Sequence, residues 1–455
     1  MEFMILLKIV IGLAGLGIVV FFHELGHFLA ARLVKIDVEA FSIGWGNPIL
    51  KKKIGSVEYR LGMFPIGGYC KMKGETDYKE AWENMRNGIQ PEKGSYLAAS
   101  PAARILVSFG GPFFNLVFAV LLLSLLWGVG FEVNTMGNKI ILASEVDGQT
   151  FPADEAGLKT GDRIIEIAGN KISYYHEVQE NVALNPDKKL PILVERNGEI
   201  IPLEITPSLD KSSGAGKIGV YFWTDPVINN VKDGSPSQRA GLRNGDVITS
   251  ANGMPLRNSI DLVKLLEYGE GSPPNELVLE YERDGVKGQA RFNRDEYEND
   301  LGFSWAYINY RTPDLSFPQA IAKGAREGYK TLAVSVKSLQ LLFKGIDLTQ
   351  AVSGPVRITY LIGDIAASGF SQSVGSGLRS FADFIALISV ALCVMNLLPL
   401  PILDGGMIIL FLVEMIRGKP AHPKAIAIFQ YSGMVIIFTL MIFAVFGDIL
   451  FFVRQ

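Results

Sequence analysis

Four long apolar segments divide the chain into polar stretches of very different length. They cover approximately residues 4–29, 105–130, 381–415 and 426–452, and the third is interrupted by prolines and by Asp404. Each reaches the roughly 20 residues that a helix needs to cross a bilayer. The pattern therefore predicts a multi-pass α-helical membrane protein with four transmembrane helices. The first apolar run is too long for a cleaved signal peptide, so we expect it to be retained.

A sequence pattern in the long stretch between the second and third apolar segments occurs twice. The residues from Ala156 read A-G-L-x-x-G-D-x-I, and the same pattern starts again at Ala240, 84 residues later. A repeat of this length indicates two similar domains rather than a short-period solenoid. Each copy predicts a helix end, a glycine turn and an apolar strand. Further strand-like runs follow each copy, at residues 190–195 and 200–205, and at residues 277–281 and 288–292.

The polar stretch that follows the first apolar segment carries β-strand signals. Residues 53–60 alternate in polarity around a Gly-Ser turn, which predicts a hairpin. Residues 61–72 are apolar and glycine-rich. Non-helical backbone can enter membrane depth only where protein or water satisfies its polar groups. We interpret residues 61–72 as a membrane-re-entrant strand or loop, and an ordinary surface strand remains the alternative.

Residues 317–350 have apolar side chains at helical spacing, with lysines off that face. The pattern predicts an amphipathic helix that is too charged to span a membrane and that lies at the membrane surface. A soluble linker helix fits the pattern equally well. The Ser-Gly-Pro sequence at residues 353–355 ends the element.

Charge and cysteine content narrow the class of protein. With a net charge of −3, nothing indicates nucleic-acid binding. Cys70 and Cys393 are far apart and imply neither a disulfide framework nor a metal-binding cysteine pair. Basic residues cluster between the first and second spans and between the third and fourth, so both loops should be cytoplasmic. Both termini and the long middle region are then predicted on the extracytoplasmic side.

The first apolar segment contains an H-E-x-x-H motif at residues 23–27. In a helix, His23 and His27 lie on one face and can bind a single metal ion, with Glu24 beside it to act on a water molecule. Ionisable groups at that depth are costly, so they indicate function. The alternative is a pair of packed histidines near a helix end.

A catalytic zinc site usually has three protein ligands, so a third is needed. Asp404 lies among leucines and isoleucines in the third apolar segment, shortly after Pro399 and Pro401 and directly before two glycines. A buried carboxylate requires a partner, and Zn²⁺ would neutralise it. The alternative is that Asp404 caps the helix that follows, with no metal.

These motifs together resemble the site-2 protease family of intramembrane zinc metalloproteases, in its form with two PDZ domains. H-E-x-x-H at residues 23–27, N-x-x-P-x-x-x-L-D-G at residues 396–405, G-P-x-x-N at residues 111–115 and P-I-G-G-Y at residues 65–69 carry the resemblance, which covers essentially the whole chain. Many relatives have a histidine at the position of Met407, but the ligand count does not require one.

The resemblance implies a set of site residues. Zinc would be bound by His23, His27 and Asp404, and Glu24 would be the catalytic acid/base. Substrate-binding residues would be Ile66, Gly67, Gly68, Tyr69, Asn115, Asn396 and Pro399. The candidate PDZ ligand loops are Ile218, Gly219 and Val220, and Leu301, Gly302 and Phe303. These domains could equally be spacers without a ligand.

The predicted fold is a multi-pass α-helical membrane protein with a membrane-re-entrant β region and two tandem PDZ-like domains of β-sandwich or α+β type. The domain ranges are 1–30 (first transmembrane helix), 31–103 (hairpin and re-entrant β-loop), 104–130 (second transmembrane helix), 131–216 and 217–308 (PDZ domains), 309–376 (amphipathic interfacial helices), 377–416 (third transmembrane helix) and 417–455 (basic loop and fourth transmembrane helix).

The implied activity is zinc-dependent hydrolysis of peptide bonds within or near transmembrane segments of single-span membrane proteins, such as anti-sigma factors or signal-peptide remnants. The implied location is the bacterial inner membrane, with a peptide or new C-terminus bound at the PDZ domains. A non-enzymatic PDZ scaffold predicts that a motif residue is missing, and none is missing. A metal transporter or sensor leaves Glu24 and the PDZ pair without a role. An aspartyl protease needs a second intramembrane aspartate.

Overall fold

The computed structural model describes residues 2–75, 92–211, 214–267, 275–341, 354–419 and 421–453. The chain forms two compact units. The membrane unit comprises Met1–Phe131 and Thr312–Gln455, and the repeat unit comprises Glu132–Arg311. All four candidate membrane spans belong to the membrane unit, and both copies of the repeated sequence pattern belong to the repeat unit.

The helices, in chain order, are α1 (Glu2–Leu33), α2 (Pro101–Val129), α3 (Ser144–Asp147), α4 (Pro152–Glu155), α5 (Tyr175–Ala183), α6 (Pro236–Arg239), α7 (Ser259–Glu267), α8 (Arg294–Asn299), α9 (Phe317–Leu341), α10 (Pro355–Gln372), α11 (Val374–Asn396), α12 (Asp404–Arg417) and α13 (Pro423–Val453). Four of them, α1, α2, α11 and α13, are long and apolar enough to cross a membrane. This confirms the four predicted spans within the part of the chain that the structure describes.

The strands, in chain order, are β1 (Val38–Ile54), β2 (Val57–Met72), β3 (Glu132–Thr135), β4 (Ile140–Leu142), β5 (Arg163–Ile167), β6 (Asn170–Lys171), β7 (Leu190–Arg196), β8 (Glu199–Ile205), β9 (Ser208–Leu209), β10 (Gly216–Lys217), β11 (Val220–Phe222), β12 (Ile228–Val231), β13 (Val247–Ala251), β14 (Met254–Pro255), β15 (Glu276–Arg283), β16 (Val286–Asn293), β17 (Phe303–Trp305) and β18 (Ile308–Arg311). The four strand-like runs predicted after the repeated pattern are confirmed as β7, β8, β15 and β16.

The third apolar segment is two helices joined by a tight loop. Helix α11 ends at Asn396 and α12 begins at Asp404. A proline in a helix removes a hydrogen bond and clashes with the preceding turn, so the prolines between these residues enforce the break. Ile402 has φ +78°, a strained conformation for a β-branched residue. A Cβ on Gly405 or Gly406 would collide with backbone atoms of this loop, so the two glycines allow it to fold back onto the start of α12.

Strands β1 and β2 form the predicted hairpin, with Ile54 opposite Val57 across the Gly-Ser turn. Farther from the turn, one part of β1 pairs with two separate segments of β2. Ser42 lies opposite both Arg60 and Tyr69, so residues 40–43 lie between two segments of β2. Each long strand therefore contributes twice to one small sheet. No strand among the described residues pairs with the outer edge of residues 68–71.

Helix α9 uses its apolar stripe for packing against another helix. The helix packs lengthwise along α2, from Ala320 beside Gly128 to Leu339 in a cluster with Ala119. Lys323 reaches back over the Trp127 ring at 4.5 Å. The predicted amphipathic helix is therefore present at residues 317–341, with its apolar stripe packed against α2. Its placement at a membrane surface stays a prediction. Residues 342–350 and 353, at the predicted end of the element, lie outside the described residues.

The repeat unit contains the same four-stranded antiparallel sheet twice. The strand order is β6-β5-β7-β8 in the first sheet and β14-β13-β15-β16 in the second. Each sheet has its own buried core, built on Ile164 and Ile192 in the first and on Ile248 and Leu279 in the second. The repeated sequence pattern therefore corresponds to a repeated structure.

The boundary that we predicted between residues 216 and 217 is wrong. Strand β11 pairs with β4 of the first repeat, and β17 pairs with β12 of the second. Residues 220–222 therefore belong to the first repeat, and the second begins after them. The two paired strands are nearly 80 residues apart in sequence, so local patterns could not reveal this long-range pairing.

The aspartate of the repeated pattern has the same structural role in both copies. The Asp162 carboxylate accepts hydrogen bonds from Nε and a terminal nitrogen of Arg196 at 2.7 and 2.8 Å. Asp246 accepts the equivalent bonds from Arg283 at 2.6 and 2.7 Å. Each arginine also donates to a backbone carbonyl of the glycine turn at 2.8 Å. We call these pairs the aspartate–arginine clamps.

Candidate metal centre and active site

Two distant parts of the chain meet at the H-E-x-x-H motif. His23 and His27 are one helical turn apart on α1, so both rings leave the same face. Asp404 is the first residue of α12, and its carboxylate points at both rings. The helix that it begins has Leu403 as its N-cap residue, without a side-chain cap. The alternative of a purely capping aspartate therefore does not describe this side chain.

The spacing of the ligand atoms fits a tetrahedral metal ion. The Nε2 atoms of His23 and His27 are 3.2 Å apart. Asp404 oxygens lie 3.4 Å from His23 Nε2 and 3.5 Å from His27 Nε2. With zinc–ligand bonds of about 2.0–2.1 Å, tetrahedral geometry places ligand atoms about 3.3–3.4 Å apart. Among the described residues these three form the group whose ligand atoms lie close enough together to hold one metal ion, and their spacing fits Zn²⁺.

The His27 ring is oriented by a backbone group. Its Nδ1 lies 2.8 Å from the carbonyl oxygen of Val107 on α2. A proton on Nδ1 donates to that carbonyl and leaves Nε2 free for the metal. Sequence reasoning missed Val107, because its contribution is a carbonyl that any residue could supply.

The His23 ring has two amide neighbours. Asn115 Nδ2 lies 3.2 Å from His23 Nδ1, and Asn396 Nδ2 lies 3.5 Å from His23 Nε2. Asn115 is fully buried, and its backbone carbonyl accepts a hydrogen bond from Ser389 at 2.9 Å. Both asparagines predicted to bind substrate therefore lie within the metal centre.

Helix α2 passes close to the two imidazoles. A Cβ on Gly111 would collide with the rings of His27 and His23. The glycine of the G-P-x-x-N motif therefore allows a helix to pack directly on the metal ligands. The motif supplied the sequence signal for this position, but the reason is visible only in the packing.

Glu24 lies beside the ligands and next to strand β2. It is not among the three grouped ligand residues, and its side chain is partly exposed. A Cβ on Gly68 would lie 3.1 Å from Glu24 Cγ and 3.0 Å from Val20 Cγ1, so the strand passes in van der Waals contact with the motif. Residues 68–71, whose outer edge pairs with no strand among the described residues, therefore lie next to Glu24.

The remaining predicted substrate residues lie on β2 and in the loop between α11 and α12. Gly67 has φ +84° and packs against Trp45. The Tyr69 hydroxyl accepts a hydrogen bond from Arg60 at 3.0 Å. Pro399 is exposed in the loop between α11 and α12. Ile66 belongs to β2, and its side chain lies outside the described part of the structure.

The predicted loops of the repeat unit have equivalent positions in the two repeats. Residues 218–220 lead into β11, and residues 301–303 lead into β17. A cavity of about 640 Å³ lies between residues 216–222 and α5 in the first repeat. There the Tyr175 hydroxyl donates to the Val220 carbonyl at 2.6 Å, and burial raises the pKa of Tyr175 to about 12, which keeps the hydroxyl protonated. The second repeat has Ser259 at the position of Tyr175.

Comparison with known proteins agrees with this site. The model of peptidase family M50 matches residues 11–440. A protein of Treponema pallidum (strain Nichols) is 36% identical over 449 residues, which cover 98% of this chain and 99% of that protein. A Neisseria meningitidis serogroup A protein is 30% identical over 453 residues, which cover 95% of this chain and 96% of that protein.

A third relative, from Vibrio cholerae serotype O1, is 27% identical over 464 residues, with 95% of this chain and 96% of that protein covered. The names of all three relatives contain the words "Putative zinc metalloprotease". Together with the four apolar helices, these matches identify the chain as a member of peptidase family M50, the site-2 protease family, and as a membrane metalloprotease that uses zinc.

Proposed function

We propose that this metalloprotease hydrolyses peptide bonds within or near the transmembrane segments of single-span membrane proteins, with zinc held by His23, His27 and Asp404. The observation that supports this proposal is the ligand triangle, which is formed by the Nε2 atoms of His23 and His27 and the carboxylate of Asp404. It joins α1, a helix apolar enough to span a membrane, to the start of α12, just after the loop that interrupts the third apolar segment. Ionisable residues in such segments are rarely present without a function.

The chemistry follows from the residues around the triangle. When bound, zinc supplies a Lewis acid that activates water and polarises a carbonyl. Glu24 takes the proton of the attacking water and later donates it to the leaving amide nitrogen. The Asn396 amide, 3.5 Å from His23 Nε2, donates to the carbonyl oxygen on which negative charge develops.

A spanning helix buries its peptide bonds in its own hydrogen bonds, so a substrate must unwind locally before it is cut. We propose that the unwound segment adds as a strand to the outer edge of β2 at residues 66–69. That edge would satisfy its backbone groups inside the bilayer. Pro399, exposed in the loop between α11 and α12, is proposed to contact the same segment. This role requires residues 61–72 to lie at membrane depth as a re-entrant strand.

We further propose that the repeats are PDZ domains on the extracytoplasmic side of a bacterial inner membrane, in a pathway of regulated intramembrane proteolysis. They either exclude substrates with large outer domains or bind a C-terminus left by an earlier cut, at residues 218–220 and 301–303. The Tyr175 hydroxyl occupies an acceptor on the β11 edge, so a peptide strand must displace it there. Substrates of the proposed class include anti-sigma factors and signal-peptide remnants.

The test uses the purified full chain in detergent with a single-span reporter. The parent should cut a reporter whose span carries helix-weakening residues much faster than one with a poly-leucine span. Equal rates would remove the unwinding step. Deletion of residues 137–308 should permit cleavage of reporters with intact outer domains, and unchanged selectivity would remove the filter role.

A further inference from the structure

One buried polar atom in the metal centre belongs to Asn115. The side-chain oxygen of Asn115 is buried and has no hydrogen-bond partner among the described residues. The amide nitrogen of the same side chain lies 3.2 Å from His23 Nδ1. Buried polar atoms are nearly always paired, so this orphan requires an explanation.

The metal explains it. His23 faces the other two ligands through Nε2. A neutral imidazole that gives Nε2 to a metal carries its proton on Nδ1, and a proton on Nδ1 needs an acceptor. An amide nitrogen is a donor and cannot accept that proton. The amide oxygen and nitrogen have nearly the same shape, so a half-turn of the Asn115 amide exchanges them.

We infer that Asn115 is a positioning residue for zinc, whose side-chain oxygen accepts the Nδ1 proton of His23. The inference rests on the proposed zinc site. It differs from the substrate-binding role that the sequence resemblance implied for Asn115. His27 receives the same support from the Val107 carbonyl at 2.8 Å, so both imidazoles have an oxygen acceptor behind them on α2. Such acceptors fix the ring and strengthen it as a ligand.

The packing supports a fixed amide. Asn115 is fully buried, and Ser389 donates to its backbone carbonyl at 2.9 Å. The side chain therefore has little freedom to swing toward a substrate. Loss of an acceptor behind a ligating histidine lowers metal affinity by roughly 10–100-fold in known sites.

The test compares Asn115→Leu with Asn115→Asp in the purified full chain. Leucine removes the acceptor, whereas aspartate keeps an acceptor but removes the amide donor. Metal-free protein is titrated with Zn²⁺ against a competing chelator, and the visible spectrum of the Co²⁺-loaded protein reports ligand geometry. We expect Asn115→Leu to weaken Zn²⁺ binding by roughly 10–100-fold and to shift the cobalt spectrum. Asn115→Asp should retain both parental properties.

Three controls separate the possible outcomes. Asp162→Asn, which lies in the repeat unit, leaves the metal centre unchanged and should keep zinc affinity. Thermal unfolding of each variant shows whether it has folded. If Asn115→Leu does not fold, the zinc affinity and cobalt spectrum of Asn115→Asp alone test the inference. Parental zinc affinity in Asn115→Leu with only a raised KM, or loss of affinity in Asn115→Asp, overturns the inference. If His23→Ala also leaves zinc binding intact, the proposed metal site itself is wrong.

Discussion

The membrane unit and the repeat unit both bury carboxylates, but they neutralise them differently. In the repeat unit, Asp162 and Asp246 are each paired with an arginine from their own repeat. In the metal centre, Asp404 faces two imidazoles, and no lysine or arginine of the described residues forms an ion pair with it. Arginines of the chain neutralise the carboxylates of the clamps, whereas no lysine or arginine of the described residues neutralises Asp404.

Burial in an apolar helix does not by itself explain this difference. Glu414 in α12 pairs with Arg104 at 2.8 Å, with both side chains buried. Asp448 in α13 accepts hydrogen bonds from the backbone nitrogens of Gly354, Val356 and Arg357 at the start of α10. These carboxylates of the membrane unit also have partners supplied by the chain. A carboxylate that faces only imidazoles, with no lysine or arginine of the described residues beside it, therefore distinguishes the metal site from the structural ones.

The largest expected effect is that of Asp404→Asn. Removal of the charged ligand should abolish most zinc binding and reduce reporter cleavage by at least roughly 10³-fold, because three protein ligands are the usual minimum for a catalytic zinc. Bound zinc per chain and the cleavage rate are measured on the same sample. Asp162→Asn is the matched control and should keep zinc at the parental level. A fully loaded Asp404→Asn variant would end the distinction between the two kinds of carboxylate.

Glu24→Gln should separate chemistry from metal binding. The amide cannot take a proton from water, so the cleavage rate should fall by roughly 10²–10⁴-fold. Zinc content should stay at the parental level, because Glu24 is outside the ligand triangle. The same cleavage and zinc assays are used. A variant that loses its zinc would show that Glu24 is a ligand.

Chelation should affect one unit and spare the other. A strong chelator should abolish cleavage, and added Zn²⁺ should restore it, because the metal centre depends on an external cation. Hydrogen exchange at residues 132–311 should not change, since the clamps need no metal. Faster exchange in β5 or β13 after chelation would show that the repeat unit also depends on the ion.

Asp246→Asn should affect the repeat unit and leave the metal centre unchanged. Breaking the clamp leaves Arg283 without its carboxylate, which we expect to destabilise the second repeat by about 2–3 kcal/mol because the arginine is partly exposed. Hydrogen exchange should accelerate in β13 and β15, while zinc content stays unchanged. Unchanged exchange would show that the clamp contributes little to stability.

The smallest effect is expected for Arg283→Lys. A lysine keeps the charge but cannot form the paired hydrogen bonds to Asp246, so about 1 kcal/mol should be lost. The measurement is again hydrogen exchange in the second repeat. Arg196→Lys should give a similar value in the first repeat, because the two clamps share their geometry. A large difference between the two would show that the repeats are not equivalent.

Several features could be predicted from the sequence because they depend on neighbouring residues. Span length, the one-face spacing of His23 and His27, the hairpin turn at residues 55–56 and the repeated glycine–aspartate pattern are all local signals. The break before Asp404 was equally local, since two prolines cannot continue a helix. The predicted ligands could be chosen in this way because zinc chemistry restricts the residue types.

Contacts between residues that are distant in sequence could be learned only from the tertiary structure. Asp404 lies beside His23 only because α12 begins where the broken third segment meets α1. The contacts of Val107 and Asn115 with the two histidines depend on how α2 packs against α1. The placement of α9 along α2 and the pairing of β11 with β4 likewise join residues that are distant in sequence. Local patterns specify which face of an element is apolar, but its partner depends on the free energy of the whole packed unit.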